Sequence, residues 1–240
     1  MPEPTVAPAP AMWKIAPIFA TDYDRTLAEP GKGPDPAAMN AISKLREAGI
    51  RCILATGRPA EDILAQGIGP ESFDAFVIEG GALFGPLNSL TYLNIGQELA
   101  HATQACKDAG LSISERSYSF SVAREHEAQV RALVGECSIQ PNVDHLDILP
   151  PRVDKGVGLD GALSSLGNRA TPIVAIGDGE NDIPLLDRAT VGLAPANASP
   201  ALRDIADEVL PESGPAAVVA AANRLLRGDW ASILNPPTLP

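Results

Sequence analysis

The sequence predicts an α/β fold: an open, mostly parallel sheet interrupted by one small α+β module. Three observations lead there. Short apolar runs alternate with helical patterns from Ile15 onward and again from Pro172 onward. The stretch 83–152 breaks that rhythm with segments that alternate in period two. A length of 240 residues is more than one modest core needs and less than two full-size domains take.

Each element follows in turn. Residues 18–21 read as a buried strand, with Pro17 at the entrance, where a missing N–H does least harm. Asp35 and Pro36 open a helix as N-cap and first helical residue. Its apolar stripe is Ala38, Ile42 and Leu45, and Gly49 closes it. Residues 50–55 form the next strand, 59–66 a short helix and 75–78 a third strand. Within the module, 97–109 and 125–134 read as helices. The run 117–122 sets Tyr118, Phe120 and Val122 against Ser117, Ser119 and Ser121. In 143–148, Leu146 and Ile148 lie opposite His145 and Asp147. Such strands predict an antiparallel sheet with helices on one face and an open polar face. Residues 172–176 and 191–193 supply the fourth and fifth core strands, with a helix through Leu185 and Leu186 between them. Ser199-Pro200 caps a helix carrying Leu202 and Ile205, and 215–226 forms the last helix. The expected division is a core of 15–82 and 153–228, an inserted module of 83–152, a disordered extension of 1–14 and an irregular tail of 229–240.

Composition narrows the partners. Thirty acidic against eighteen basic side chains leave a net charge of −12, which repels nucleic acid and anionic membranes. Cys52, Cys106 and Cys137 are too scattered for a disulfide framework or a zinc pattern. No run approaches the roughly 18 apolar residues of a membrane span, and the Pro-rich start lacks the basic opening of a signal peptide. A cytoplasmic protein without nucleic-acid or membrane partners is expected; the oligomeric state is left open.

Four short signals follow predicted strands or mark the module's return to the core, where open α/β sheets bind ligands. Asp22-Tyr23-Asp24-Arg25-Thr26 places two carboxylates where the first strand leaves the sheet, although turn-forming aspartates would look the same. Thr56-Gly57-Arg58 combines a hydroxyl, a glycine and a guanidinium that can cradle an anion, or simply make a turn with a surface arginine. Asp178-Gly179-Glu180-Asn181-Asp182 packs three acids and an amide into five residues, the donor set of a hard cation. A favourable helix dipole accounts for one of those acids, not three. Lys155 stands where the module returns to the core.

In this order the four signals resemble the haloacid dehalogenase superfamily of phosphohydrolases, over nearly the whole chain from Ile15 to about Leu210. Asp22 and Asp24 match its first motif, Thr56 its second, Lys155 its third, and Asp178, Asn181 and Asp182 its fourth. The resemblance implies a Rossmann-like sheet of order 3-2-1-4-5 with a small α/β cap inserted between the second and third motifs. It looks like the branch of sucrose-phosphate, mannosyl-phosphoglycerate and phosphoglycolate phosphatases and phosphomannomutases. It further implies Asp22 as nucleophile and Asp24 as general acid and base. Magnesium is implied on Asp22, the Asp24 carbonyl and Asp178, with Asp182 and Asn181 orienting its waters. Thr56, Gly57 and Lys155 are implied to bind the phosphoryl oxygens. Candidates for substrate selection are Arg58, Glu79, His145 and Asp147, and the serines 117, 119 and 121 share the polar face. His101 and His126 fall on predicted helices as surface residues. The chain departs from the family at Arg25, usually glycine, and at Gly80, often asparagine.

Electrostatics require the cation. Two like charges 4 Å apart repel by about 4 kcal/mol at an effective dielectric near 20, and here four acids must admit a phosphate dianion. The reading is therefore a magnesium-dependent phosphatase for a small phosphorylated metabolite: a sugar phosphate, a sugar-acid phosphate or phosphoglycolate. A phosphomutase of the same fold and a non-catalytic binding or regulatory module are the alternatives.

Overall fold

The computed structural model describes residues 15–93, 96–167 and 171–234. In chain order its strands are β1 (Ile18–Asp22), β2 (Arg51–Ala55), β3 (Ala75–Ile78), β4 (Leu83–Gly85), β5 (Thr91–Tyr92), β6 (Ile113–Glu115), β7 (Phe120–Ala123), β8 (Ser138–Pro141), β9 (His145–Leu149), β10 (Ile173–Ile176), β11 (Val191–Ala194) and β12 (Glu208–Val209). The helices are α1 (Pro36–Glu47), α2 (Ala60–Ala65), α3 (Glu98–Asp108), α4 (Glu127–Leu133), α5 (Lys155–Ser165), α6 (Ile183–Leu186), α7 (Pro200–Ile205), α8 (Gly214–Arg227) and α9 (Ala231–Leu234).

One sheet runs β12-β11-β10-β1-β2-β3-β4-β5 and a second β6-β7-β9-β8. Within the larger sheet the order β3-β2-β1-β10-β11 is parallel throughout, the 3-2-1-4-5 arrangement expected. Its strands are buried on both faces, which is why they read as continuous apolar runs. Phe19, Leu54, Phe76 and Val174 pack on one side with Leu45 of α1 and Val218 of α8. Ile18, Ile53, Val77 and Ala175 pack on the other with Leu159 of α5 and Leu202 of α7. The α1 boundary follows its sequence: Asp35 Oδ1 accepts the N–H groups of Ala37 and Ala38, and Gly49 takes a positive φ of 80°.

Three features differ from the sequence reading. Helix α5 was not anticipated, because Gly156, Gly158 and Gly161 weaken its helical pattern. Those glycines allow close approach: a Cβ at Gly158 would strike Val77 and Gly81, and one at Gly161 the ring of Phe84. The boundary expected at residue 83 falls later, since β4 and β5 extend the large sheet antiparallel beyond β3. The tail expected to be irregular from 229 carries α9, with Trp230 and Leu234 buried. Residues 1–14 and 235–240, the expected extension and the end of the tail, lie outside the described residues.

In the insert, Phe120, Val122, Leu146 and Ile148 pack on α3 and α4 through Ala102, Cys106 and Val130. The opposite, polar face was expected to stay open. Instead it meets the larger sheet's loops: Gln140 Nε2 donates to the carbonyls of Gly80 and Val153 at 3.5 and 3.4 Å. Covering that face removes solvent from Asp147 and Gln140, both buried. No helix among the described residues is long and apolar enough to cross a membrane.

Candidate active site

Strands β1 and β10 are parallel neighbours with Thr21 opposite Ile176. Their ends therefore release Asp22 and the Gly177-Asp178 turn at the same edge of the sheet. A Cβ at Gly177 would strike Asp182, so the glycine lets that side chain fold back against the strand end. Asp182 Oδ2 accepts the N–H groups of Asp178 and Gly179, both at 3.0 Å, which shapes the turn. Its Oδ1 lies 2.5 Å from Lys155 Nζ, and the same ammonium lies 2.6 Å from Asp22 Oδ1. Lys155 begins α5 and is fully buried. Asn181 is buried in the same turn as Asp178 and Asp182.

Carboxylate oxygens of Asp22, Asp178 and Asp182 lie within 4.8 Å of one another. Burial, then the charge of Asp182, pushes the Asp22 carboxyl well above the usual range, and Lys155 does not offset them. Asp178 is raised by the same two causes, against Arg25 and Lys155. Burial opposes the charge of Lys155, yet Asp182 and Asp22 beside it raise its hold on its proton. Three buried carboxylates thus share two cations, Lys155 on Asp22 and Asp182 and Arg25 on Asp178. This surplus of negative charge on hard oxygen donors fits a divalent cation.

Residues 19–83 and 117–221 match the family model of haloacid dehalogenase-like hydrolases. The chain belongs to that family. It is a phosphatase. The phosphoglycolate phosphatase of Methanothermobacter thermautotrophicus is 26% identical over 87% of this chain and 98% of its own. Phosphoglycolate phosphatase 2 of Saccharolobus solfataricus is 27% identical over 89% and 94% respectively. Among solved structures, a superfamily phosphatase from Bacteroides thetaiotaomicron aligns with a TM-score of 0.73 at 18% identity, covering 96% of this chain and 100% of that one.

The rim of this hydrolase's site adds groups from several elements. Thr56, buried just past β2, accepts the Arg58 N–H through its hydroxyl at 3.1 Å. Arg58 grips Asp24 with two hydrogen bonds, Nε to Oδ2 at 2.8 Å and Nη2 to Oδ1 at 2.7 Å. The Asp24 side chain is 51% exposed, in contrast to buried Asp22. Arg25, in the left-handed region at φ 62°, reaches Asp178 Oδ2 at 2.9 Å. A cleft of about 840 Å³ opens over these groups, bounded by Asp24, Gly57 and Arg58 on one side and Arg116, His145 and Asp147 on the other.

Across the cleft, Asp147 is buried and accepts Arg116 Nη1 at 2.8 Å, with His145 Nε2 at 3.4 Å. Burial opposes its charge, but His145 and Arg116 hold its carboxyl below the ordinary range. The hydrogen bond to Asp147, helped by Asp144 at 2.7 Å, raises His145 to about 9. A Cβ on Gly57 would lie 3.4 Å from Asp147 Oδ2, which places the loop after β2 in van der Waals contact with the insert.

Glu79 does not join them. It is buried, and its Oε2 accepts the Tyr118 N–H at 2.9 Å and the Ser119 hydroxyl at 2.8 Å, tying the large sheet to the insert. Ser119 is thereby spent, and Ser117 lines a separate groove beside α3. Ser121 lies opposite Asp147 in the β7–β9 register. His101 is exposed on α3, and His126 precedes α4. Sequence reasoning missed Arg116, and flagged Arg25 only as a departure. A single arginine in a loop carries no periodicity or motif to reveal what it will pair with.

Proposed function

We propose that this phosphatase hydrolyses a small phosphorylated acid, phosphoglycolate first among them, with magnesium and an aspartyl-phosphate intermediate. The observation that carries the reading is the Asp22 carboxylate at the mouth of a buried acid cluster, 2.6 Å from the Lys155 ammonium. The substrate follows the relatives named phosphoglycolate phosphatase, aligned over most of both chains.

Asp22 and Asp178, with the Asp24 carbonyl, would hold magnesium, while Asp182 and Asn181 orient its waters. When bound, the ion neutralises the acids and the incoming phosphoryl charge. Thr56, the Gly57 amide and Lys155 bind the non-bridging phosphoryl oxygens. An Asp22 oxygen bonds to phosphorus as the phosphorus–leaving-oxygen bond breaks, and Asp24 gives its proton to the departing alkoxide. Water then attacks the phosphorus. Asp24 takes the water's proton, the Asp22–phosphorus bond breaks, and phosphate leaves. The insert acts as a cap that closes the cleft over the leaving group.

The test is phosphate release from phosphoglycolate, with magnesium and with chelator. Release that survives chelation overturns the metal assignment. Asp22→Asn is expected to lower kcat by roughly 10⁴-fold, about 5 kcal/mol of barrier, with an unchanged circular dichroism spectrum. Activity within about tenfold of wild type would mean that another group attacks phosphorus. Transfer of the phosphoryl group to an added hexose phosphate, in place of free phosphate, would identify a mutase instead.

A further inference from the structure

Asp24 has both carboxylate oxygens occupied by the guanidinium of Arg58. The pairing takes one lone pair from each oxygen and fixes the Asp24 carboxylate toward Arg58, not toward a leaving group. The pairing is held from below as well, because Arg58 Cζ lies 4.9 Å from the centre of the buried Tyr23 ring. Arg58 and Asp24 both line the cleft, and both are partly exposed, so the pair sits where a leaving group would lie.

We infer that Arg58 is a carboxylate-exchange switch: a carboxylate on the substrate's leaving group takes the two guanidinium hydrogen bonds from Asp24 and frees Asp24 for proton transfer. This rests on the role proposed above for Asp24. The substrate carboxylate and the Asp24 carboxylate are chemically the same ligand for a planar, two-pronged donor. An acid group one or two carbons from the ester oxygen is within reach, because the oxygen must meet Asp24 and Arg58 is Asp24's own partner. Neutral esters have nothing to exchange, so Asp24 stays held. Arg58 is then a positioning residue toward Asp24 and a selector for phosphorylated short-chain acids.

Phosphoglycolate and ethyl phosphate test this, since their leaving groups differ chiefly by the carboxylate. The wild type is expected to prefer phosphoglycolate. Arg58→Gln should lower kcat/KM for phosphoglycolate about 100-fold, the loss expected for a charged, hydrogen-bonded pair, and raise kcat for ethyl phosphate several-fold. The two substrates therefore move in opposite directions. Arg58→Lys, which keeps the charge without the fork, should fall between the wild type and Arg58→Gln on both. A parallel fall on both substrates would make Arg58 merely structural and overturn the proposal, as would an unchanged preference in Arg58→Gln. Ethyl phosphate turned over by the wild type as well as phosphoglycolate overturns the exchange but leaves the phosphatase mechanism standing. No magnesium-dependent turnover of either substrate overturns both.

Discussion

The two halves of the site carry their charge in different ways. In the larger sheet, Asp22, Asp178, Asp182 and Lys155 are all buried at the ends of β1, β10 and α5, and their hydrogen bonds interlock. In the insert, Asp147 alone is buried, and its cations Arg116 and His145 reach in from a cleft that stays open. The first arrangement is fixed before any substrate arrives, as transition-state stabilisation requires. The second keeps its cations partly exposed, with Arg116 and His145 both reachable from solvent. Burial thus separates a preset charge cluster from a partly exposed rim within one site.

Removing the lysine tests the rigid half most severely. Lys155→Met leaves the buried Asp22 and Asp182 without their ammonium, and breaking a buried pair in this way costs about 3–5 kcal/mol. Asp22 and Asp178 are already raised by burial and by Asp182, and losing the lysine raises them further. A carboxyl raised in the folded state binds protons that the unfolded chain does not, so stability declines as pH rises through that window. The variant should therefore be more stable at pH 5 than at pH 7 in urea unfolding. A loss under about 1 kcal/mol, the scale of a surface pair, would erase the distinction between the two halves.

A smaller effect belongs to the insert. His145 is raised from 6.5 to about 9 by its hydrogen bond to Asp147, with Asp144 helping. A raised histidine contributes stability that is complete below pH 6.5 and is lost as pH climbs through about 9. Its ring is partly exposed, so the contribution is put at roughly 1 kcal/mol after allowance for solvent screening. Unfolding of the wild type and His145→Gln, compared at pH 6 and pH 9.5, should show that gap closing at the higher pH. A gap independent of pH would mean that the ring supports the insert by packing alone.

The same contrast explains what could be read from the chain. Asp22, Thr56 and Asp178 follow apolar strands, and a parallel sheet brings strand ends together whatever surrounds them. The first and fourth strands were legible for that reason, and so was the meeting of their acids. Helix α5 was hidden because the glycines that let it approach Val77 and Phe84 also weaken its pattern. The two-residue strand β5 is too short to carry any periodicity. In the insert, the alternation correctly separated Leu146 and Ile148 from His145 and Asp147. It could not tell that the polar face would dock on Gly57 and Gly80, since docking depends on shape across 60 or more residues of intervening chain. Glu79 was misplaced for a related reason: its partners, Tyr118 and Ser119, lie on the other side of that interface.

A partly exposed link across the interface also bears on how the halves join. Arg124, just before α4, reaches Glu180 with Nη2 at 3.2 and 3.3 Å, while its Nη1 donates to the Asn142 carbonyl at 2.6 Å. Glu180 lies in the turn between Asp178 and Asp182, so the contact ties the insert to the acid cluster's own loop. Both side chains are about one-third exposed, 36% and 35%. An exposed pair of this kind contributes about 0.2–1 kcal/mol and weakens in salt. Arg124→Gln should therefore cost no more than that in urea unfolding, and the cost should shrink at high salt. Gln140, Gly80 and Val153, with Glu79 and Ser119, form the buried part of the junction. If Arg124→Gln instead loosened the insert enough to cost several kcal/mol, the buried contacts would not be what seats it. The open cleft would then owe its width to a single charged strap.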